Sequence, residues 1–253
     1  MGALVHHKPI PYTLYQWVWN AVDWIYPPVC GGCGTPGVRL CSECQRSLQR
    51  IKSPICTRCG LPLNNEDTVC NDCRDFSFAV DGIRAYAQYA GPIRNAIHQL
   101  KYRRDIALAE TLASFLVDLY CETGWQVDLV TPVPLGVVRR KERGYNQAAM
   151  IAYPFSLAVQ VSYSSRALRR VRETASQVDL GFAQRLENVK EAFRADPQKV
   201  AGKKVLVIDD VTTTGATLNA CAEALKNAGA TTVYGFVVAR TLLSQGGKND
   251  RAS

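Results

Sequence analysis

No stretch of the chain approaches the roughly 18 consecutive apolar residues that a membrane span requires, so no integral membrane segment is expected. A clean secretory core is missing as well. The aromatic-rich start MGALVHHKPIPYTLYQWVWNAVDWIYPPVC is interrupted by Asn20 and Asp23. Without an export signal the expected location is the cytoplasm, where disulfides are disfavoured. Acidic residues are the scarcer charge, 22 against 30 Lys and Arg, which leaves a net charge of +8. That deficit favours anionic partners, phosphorylated metabolites and nucleic acid among them, without choosing between them.

In place of an anchor, Leu14, Trp17, Val18, Ala21, Trp24 and Ile25 recur at helical spacing. They predict an amphipathic helix within residues 1–28, packed on the body and ended by Pro27 and Pro28. The segment lacks the basic polar face of a membrane-surface helix.

Cysteine is plentiful. Eight of the ten form four Cys-x-x-Cys pairs, and the other two, Cys121 and Cys221, sit in apolar helical patterns and read as core residues. CGGCG then CSEC is answered by CTRCG then CNDC, with Gly34 and Gly60 each following the second cysteine of a pair. A glycine there can adopt positive φ and turn backbone N–H groups toward a thiolate. Two such turns supply a tetrahedral four-sulfur site, closed and structural. The spacing predicts structural zinc, two ions rather than one. The repeat favours sequential sites, Cys30, Cys33, Cys41 and Cys44, then Cys56, Cys59, Cys70 and Cys73, over interleaved ones.

Beyond Cys73 the pattern changes. Strands are expected at 79–90, 127–134, 205–208 and 231–240. Helices are expected around Ile93, Ile97 and Leu100, at 105–121 with a stop at Gly124, at 144–160 with a break near Pro154, at 183–193, and at 218–230 ending on Gly229. This alternation predicts a parallel α/β sheet over residues 76–242, behind a zinc-binding module at 29–75 and ahead of a disordered tail at 243–253. Such sheets bind ligands beyond the carboxyl ends of their strands.

At one of those ends stands VLVIDDVTTTGAT, residues 205–217. Asp209 and Asp210 are acceptors suited to a vicinal diol such as that of ribose. The hydroxyls and backbone N–H groups of Thr212, Thr213, Thr214, Gly215, Ala216 and Thr217 then open a helix, where the dipole favours phosphate. Together they read as a sugar-phosphate site. Receiver domains can open on a similar acidic pair, but only 43 of the 253 residues follow Asp210, too few for that fold. An ordinary polar loop is the other alternative.

The stretch resembles the phosphoribosyl pyrophosphate (PRPP) motif of type I phosphoribosyltransferases. In that family the acidic pair binds the ribose hydroxyls and the threonine-glycine loop the 5′-phosphate. HQLKYRRD (98–105), TPVPLGVVRRKERGYNQA (131–148) and LRRVRETASQ (168–177) further resemble the ComF or GntX-like (competence protein F) family. The resemblance implies the type I phosphoribosyltransferase fold, PRPP with magnesium, and nitrogen-directed phosphoribosyl transfer in nucleotide metabolism. It also implies a pyrophosphate loop containing Val133, Pro134, Leu135, Arg139 and Arg143, with Arg140 and Lys141 beside them, and a mobile lid within 168–185. Lys141 and Arg143 are weak candidates for catalysis. No glutaminase domain or N-terminal cysteine nucleophile accompanies these motifs. A second reading from the same resemblance is a PRPP-sensing protein that handles single-stranded DNA with partners of the competence machinery.

Overall fold

The computed structural model describes residues 10–25, 27–63, 67–76, 78–103, 105–173 and 182–242. The tail expected at 243–253 and much of the expected lid, residues 174–181, lie outside the described residues.

In chain order the elements are α1 (Ile10–Ile25), the short helices α2 (Ser42–Arg46) and α3 (Asn71–Asp75), β1 (Gly82–Gln88), α4 (Gly91–Tyr102), α5 (Leu108–Thr123) and β2 (Leu129–Pro132). Then come α6 (Val137–Arg143), α7 (Gln147–Val159), β3 (Ser162–Tyr163), β4 (Leu168–Arg170), α8 (Phe182–Val189), β5 (Phe193–Ala195) and α9 (Pro197–Val200). The chain closes with β6 (Lys204–Thr212), α10 (Ala216–Asn227) and β7 (Thr232–Arg240). Five strands form one parallel sheet in the order β1-β7-β6-β2-β3, and β4 and β5 make a separate antiparallel pair.

Both faces of the sheet are covered, which is why its central strands are apolar throughout. On one face Leu206, Ile208, Phe236 and Val238 pack with residues of α4, α5 and α7, such as Leu100, Leu112 and Phe155. On the other, Val205, Val207, Val233 and Val237 pack with α10 through Leu218, Cys221 and Leu225. Cys221 is fully buried, as expected, whereas Cys121 is exposed. It sits late in α5, beyond the last buried residue Leu119, so its helical pattern misled.

The cysteine-rich module runs along the outer edge of β1. Gln88 N–H donates to Gln49 C=O at 2.8 Å, Ile51 N–H to Tyr86 C=O at 3.0 Å, and Ile83 N–H to Arg58 C=O at 2.6 Å. A strand edge that would otherwise offer unpaired backbone groups is thereby covered. Gly60 sits so close that a Cβ there would lie 2.4 Å from the Ile83 carbonyl oxygen.

Several expectations need correction. The helix α1 forms, but Leu14, Trp17 and Trp24 are 66%, 71% and 89% exposed. Its packed side is a second aromatic stripe: Tyr12 is buried and Tyr15 meets Tyr153 of α7 edge-on at 6.1 Å. Two stripes at helical spacing share one helix, so periodicity alone could not choose between them. The basic cluster at 139–143, expected in a loop, lies on α6. The helix expected to break near Pro154 runs through it, with that proline buried in the packed face. The helix expected to reach residue 193 stops at Val189, and Glu191 takes φ 55° before β5 begins. Finally β6 extends past the apolar run to Thr212, so the acidic pair lies within the strand.

Candidate functional site

The cysteines gather as two groups, Cys30, Cys33, Cys41 and Cys44, and Cys56, Cys59, Cys70 and Cys73, with the sulfurs of each within 4.8 Å of one another. A zinc ion bonded at about 2.3 Å in a tetrahedron sets its sulfurs about 3.8 Å apart. Cys33 and Cys41 Sγ are 3.7 Å apart and Cys59 and Cys70 Sγ are 3.6 Å apart, so the donor sets fit. Gly34 and Gly60 take φ 83° and 72°, closing each first turn. Backbone N–H groups of Cys41 and Cys70 donate to Cys30 and Cys56 Sγ at 3.3 and 3.4 Å, the contacts that stabilise thiolate ligands. The arrangement is sequential. The groups differ in setting, since all four cysteines of the second are buried while Cys33 of the first is exposed.

At the far end of β6 the alternation of side chains separates the acidic pair. Asp210 follows Leu206 and Ile208 onto the α4 face, and Asp209 follows Val205 and Val207 onto the α10 face. Asp209 Oδ1 accepts the Asp210 N–H at 2.9 Å. Burial, then the adjacent Asp210 charge, push the Asp209 carboxyl up to about 7. Asp210 Oδ2 is buried and pairs with the Lys101 ammonium at 2.8 Å. The two aspartates are therefore inequivalent.

Next, Gly215 at φ 88° caps α10. Thr212 Oγ1 accepts the Gly215 N–H at 3.1 Å, and Thr214 Oγ1 accepts the Ala216 N–H at 3.3 Å. Those amides are satisfied by the loop itself, which leaves the two hydroxyl hydrogens as donors at a helix N-terminus. Both threonines are buried, while Thr213 and Thr217 are half-buried.

The PVP loop leaves β2 beside β6: Val133 N–H donates to Ile208 C=O at 2.9 Å, immediately before the acidic pair. Asn146, which sequence reasoning passed over, holds this loop by donating to Val133 C=O at 2.9 Å while its Oδ1 caps α7. Pro134 and Leu135 are half-buried at the turn into α6. Arg139, Arg140 and Lys141 are exposed on α6. Arg143 is committed elsewhere, lying 5.0 Å over the Tyr102 ring and donating to its hydroxyl at 3.3 Å. Lys101 and Tyr102 thus bridge the two loops, a junction with no spacing signal because α4 is distant from both in sequence.

Beside the PVP loop opens a cleft of about 1840 Å3 between α6, α7, α10 and the β4–β5 pair. Arg140, Lys141, Arg166, Arg169, Arg170 and Arg194 line it with Tyr145 and Phe193, whereas Asp209 and Asp210 are not among its walls. Among the described residues no helix is long and apolar enough to cross a membrane.

Two family matches divide the chain along these lines: a double zinc ribbon domain over residues 21–74 and a phosphoribosyl transferase domain over residues 109–250. DNA utilization protein YhgH of Shigella flexneri is 34% identical over 225 residues, 85% of this chain and 98% of that one. Competence protein F of Haemophilus influenzae is 29% identical over 79% of this chain and 90% of its own. Competence protein ComFC of Bacillus subtilis is 26% identical over 81% and 86%. With its paired four-cysteine groups fused to a parallel α/β sheet, the chain belongs to the ComF-like family of type I phosphoribosyltransferase-domain proteins.

Proposed function

We propose that the carboxyl end of the sheet binds PRPP and supports transfer of its phosphoribosyl group to a nitrogen nucleophile. The observation that carries this is the junction at Val133 and Ile208, which sets the PVP loop beside an acidic strand end and a hydroxyl-lined helix N-terminus. In this reading Asp210 and Asp209 accept from the ribose hydroxyls. The hydroxyls of Thr212, Thr213, Thr214 and Thr217 receive the 5′-phosphate, on a loop shaped by Gly215 and Ala216. Val133, Pro134, Leu135 and Arg139 face the pyrophosphate, Lys141 assists its departure, and Arg143 would join it only by leaving Tyr102. The two cysteine groups are the sole clusters of three or more metal-ligating side chains among the described residues. Magnesium would therefore enter on the pyrophosphate rather than in a protein cage, supplying charge neutralisation for the leaving anion.

Calorimetric titration with PRPP and magnesium tests the site. Wild type is expected to bind, gaining about 2.7 kcal/mol of stability at a hundredfold excess over its Kd. Asp210→Asn is expected to bind at least about tenfold more weakly, because an amide nitrogen cannot accept from a hydroxyl. Absence of binding by wild type overturns the reading. Labelled PRPP offered with a panel of nucleobases then asks whether turnover occurs.

The basic cleft favours a second activity, handling of single-stranded DNA in the cytoplasm, alone or with partners of the competence machinery. Cations track a phosphate backbone and aromatic rings stack bases, and relatives carry the names competence protein and DNA utilization protein. Affinity for an oligonucleotide should fall steeply with salt, and Arg140→Ala with Arg169→Ala should flatten that slope by about 2. Binding indifferent to salt, or to both changes, would leave the cleft without this role.

A further inference from the structure

Lys101 stands one residue before the end of α4, in the HQLKYRRD stretch to which the sequence assigns no role. Its ammonium lies 2.8 Å from Asp210 Oδ2, and the two side chains are 17% and 7% exposed. An ion pair so enclosed gives up much hydration and is weak grounds for stability alone. Its surroundings supply another reason for it. Asp209 and Asp210 are consecutive, and burial together with mutual repulsion opposes ionising both. Lys101 lowers the Asp209 pKa, so without that charge the Asp209 carboxyl would keep its proton to still higher pH. A protonated carboxyl points a donor where a ribose hydroxyl needs an acceptor.

The groups facing this cluster can be named from each element around it. Tyr89, just before α4, faces Lys101, and Cys221 of α10 faces Asp209 with Arg170 of β4 behind it. Burial lowers the Lys101 pKa, but Asp210 and then Asp209 outweigh it and hold the ammonium charged. Asp210 Oδ2 is buried against the Lys101 ammonium, so Oδ1 is the oxygen left to a ligand hydroxyl.

On the sugar-phosphate reading given above, we propose that Lys101 is a positioning residue of that site, whose ammonium offsets the charge of the acidic pair and fixes Asp210 as a ribose-hydroxyl acceptor without a metal ion. Recognition of the diol then does not require magnesium. Ribose 5-phosphate, which lacks pyrophosphate, should bind in magnesium-free buffer.

The test is calorimetry with ribose 5-phosphate, without magnesium, on the zinc-loaded full chain and on Lys101→Met and Lys101→Arg. At pH 7 the methionine variant should bind at least about tenfold more weakly and the arginine variant should recover part of the loss. Between pH 7 and 9 the affinity of Lys101→Met should climb as the pair sheds its proton, while wild type stays nearly flat. Mere damage to packing would not be repaired by pH. Binding of Lys101→Met within twofold of wild type at pH 7, or a loss that pH leaves unchanged, overturns the proposal. Carboxyl 13C titration of the protein alone provides a readout free of ligand: the upper midpoint of the pair should rise by about one unit or more in Lys101→Met. An unmoved midpoint overturns the role of Lys101 whatever the ligand does. A raised midpoint in a protein whose wild type binds neither ribose 5-phosphate nor PRPP overturns the sugar-phosphate reading instead.

Discussion

On the proposed function, Asp209 ties ligand recognition to stability. Its carboxyl sits at about 7 in the folded chain against an ordinary value of 3.8, so the folded state holds that proton more tightly than the unfolded state. Stability attributable to this group is therefore full below pH 4, is lost as pH rises toward 7, and changes little beyond. Asp209→Asn removes the cost of the buried charge. It should be more stable than wild type by about 1–3 kcal/mol at pH 8 and equal to it near pH 4, judged by urea midpoints, while sugar-phosphate affinity falls. A variant less stable at pH 8 would show that the charge is compensated rather than costly. Thr214→Val has the opposite balance: losing the bond to Ala216 N–H should cost about 1 kcal/mol of stability besides weakening binding. The placing of acceptors and hydroxyls at a strand end and helix start was legible in VLVIDDVTTTGAT from residue type and order. The inequivalence of the two aspartates was not, because it arises from the strand running on through Asp210 and from a lysine brought over on α4.

Among the elements, long apolar ones were readable and short ones were not. The strands β6 and β7 and the helices α5 and α10 carry enough apolar residues for periodicity to speak, and Gly124 ends α5 in the left-handed region as expected. The two- and three-residue strands β3, β4 and β5 offer no period at all, and tertiary pairing alone defines them. Likewise α6 is a seven-residue helix of two exposed valines and a charged run, with no buried side chain, so no apolar period announces it. For α1 the signal was present twice. The structure predicts that Trp17→Lys and Trp24→Lys each change stability by less than about 0.5 kcal/mol, whereas Tyr12→Ala costs about 2 kcal/mol or more in thermal or urea unfolding. Large losses at the tryptophans would mean that the outer stripe is covered in solution.

For the whole molecule, zinc decides more than the module that holds it. Metal analysis should find two ions per chain. A chromogenic chelator should take the first from the group containing exposed Cys33 and the second, more slowly, from the buried group. Loss of the second ion frees residues 49–58 from the edge of β1, and light scattering should rise with that phase rather than with the first. Simultaneous release with no scattering would contradict this. The same edge has a meaning in time. While the chain is being made, β1 emerges early, yet its inner neighbour β7 begins only at Thr232. At ribosomal speeds of about 5–20 residues per second, β1 waits roughly 8–30 s for its permanent partner. Throughout that interval the module completed at Cys73 is the neighbour already available to it, provided it has captured metal. Zinc scarcity would thus fall on newborn chains, which lack a companion for their first strand, and spare finished molecules whose ions are already enclosed.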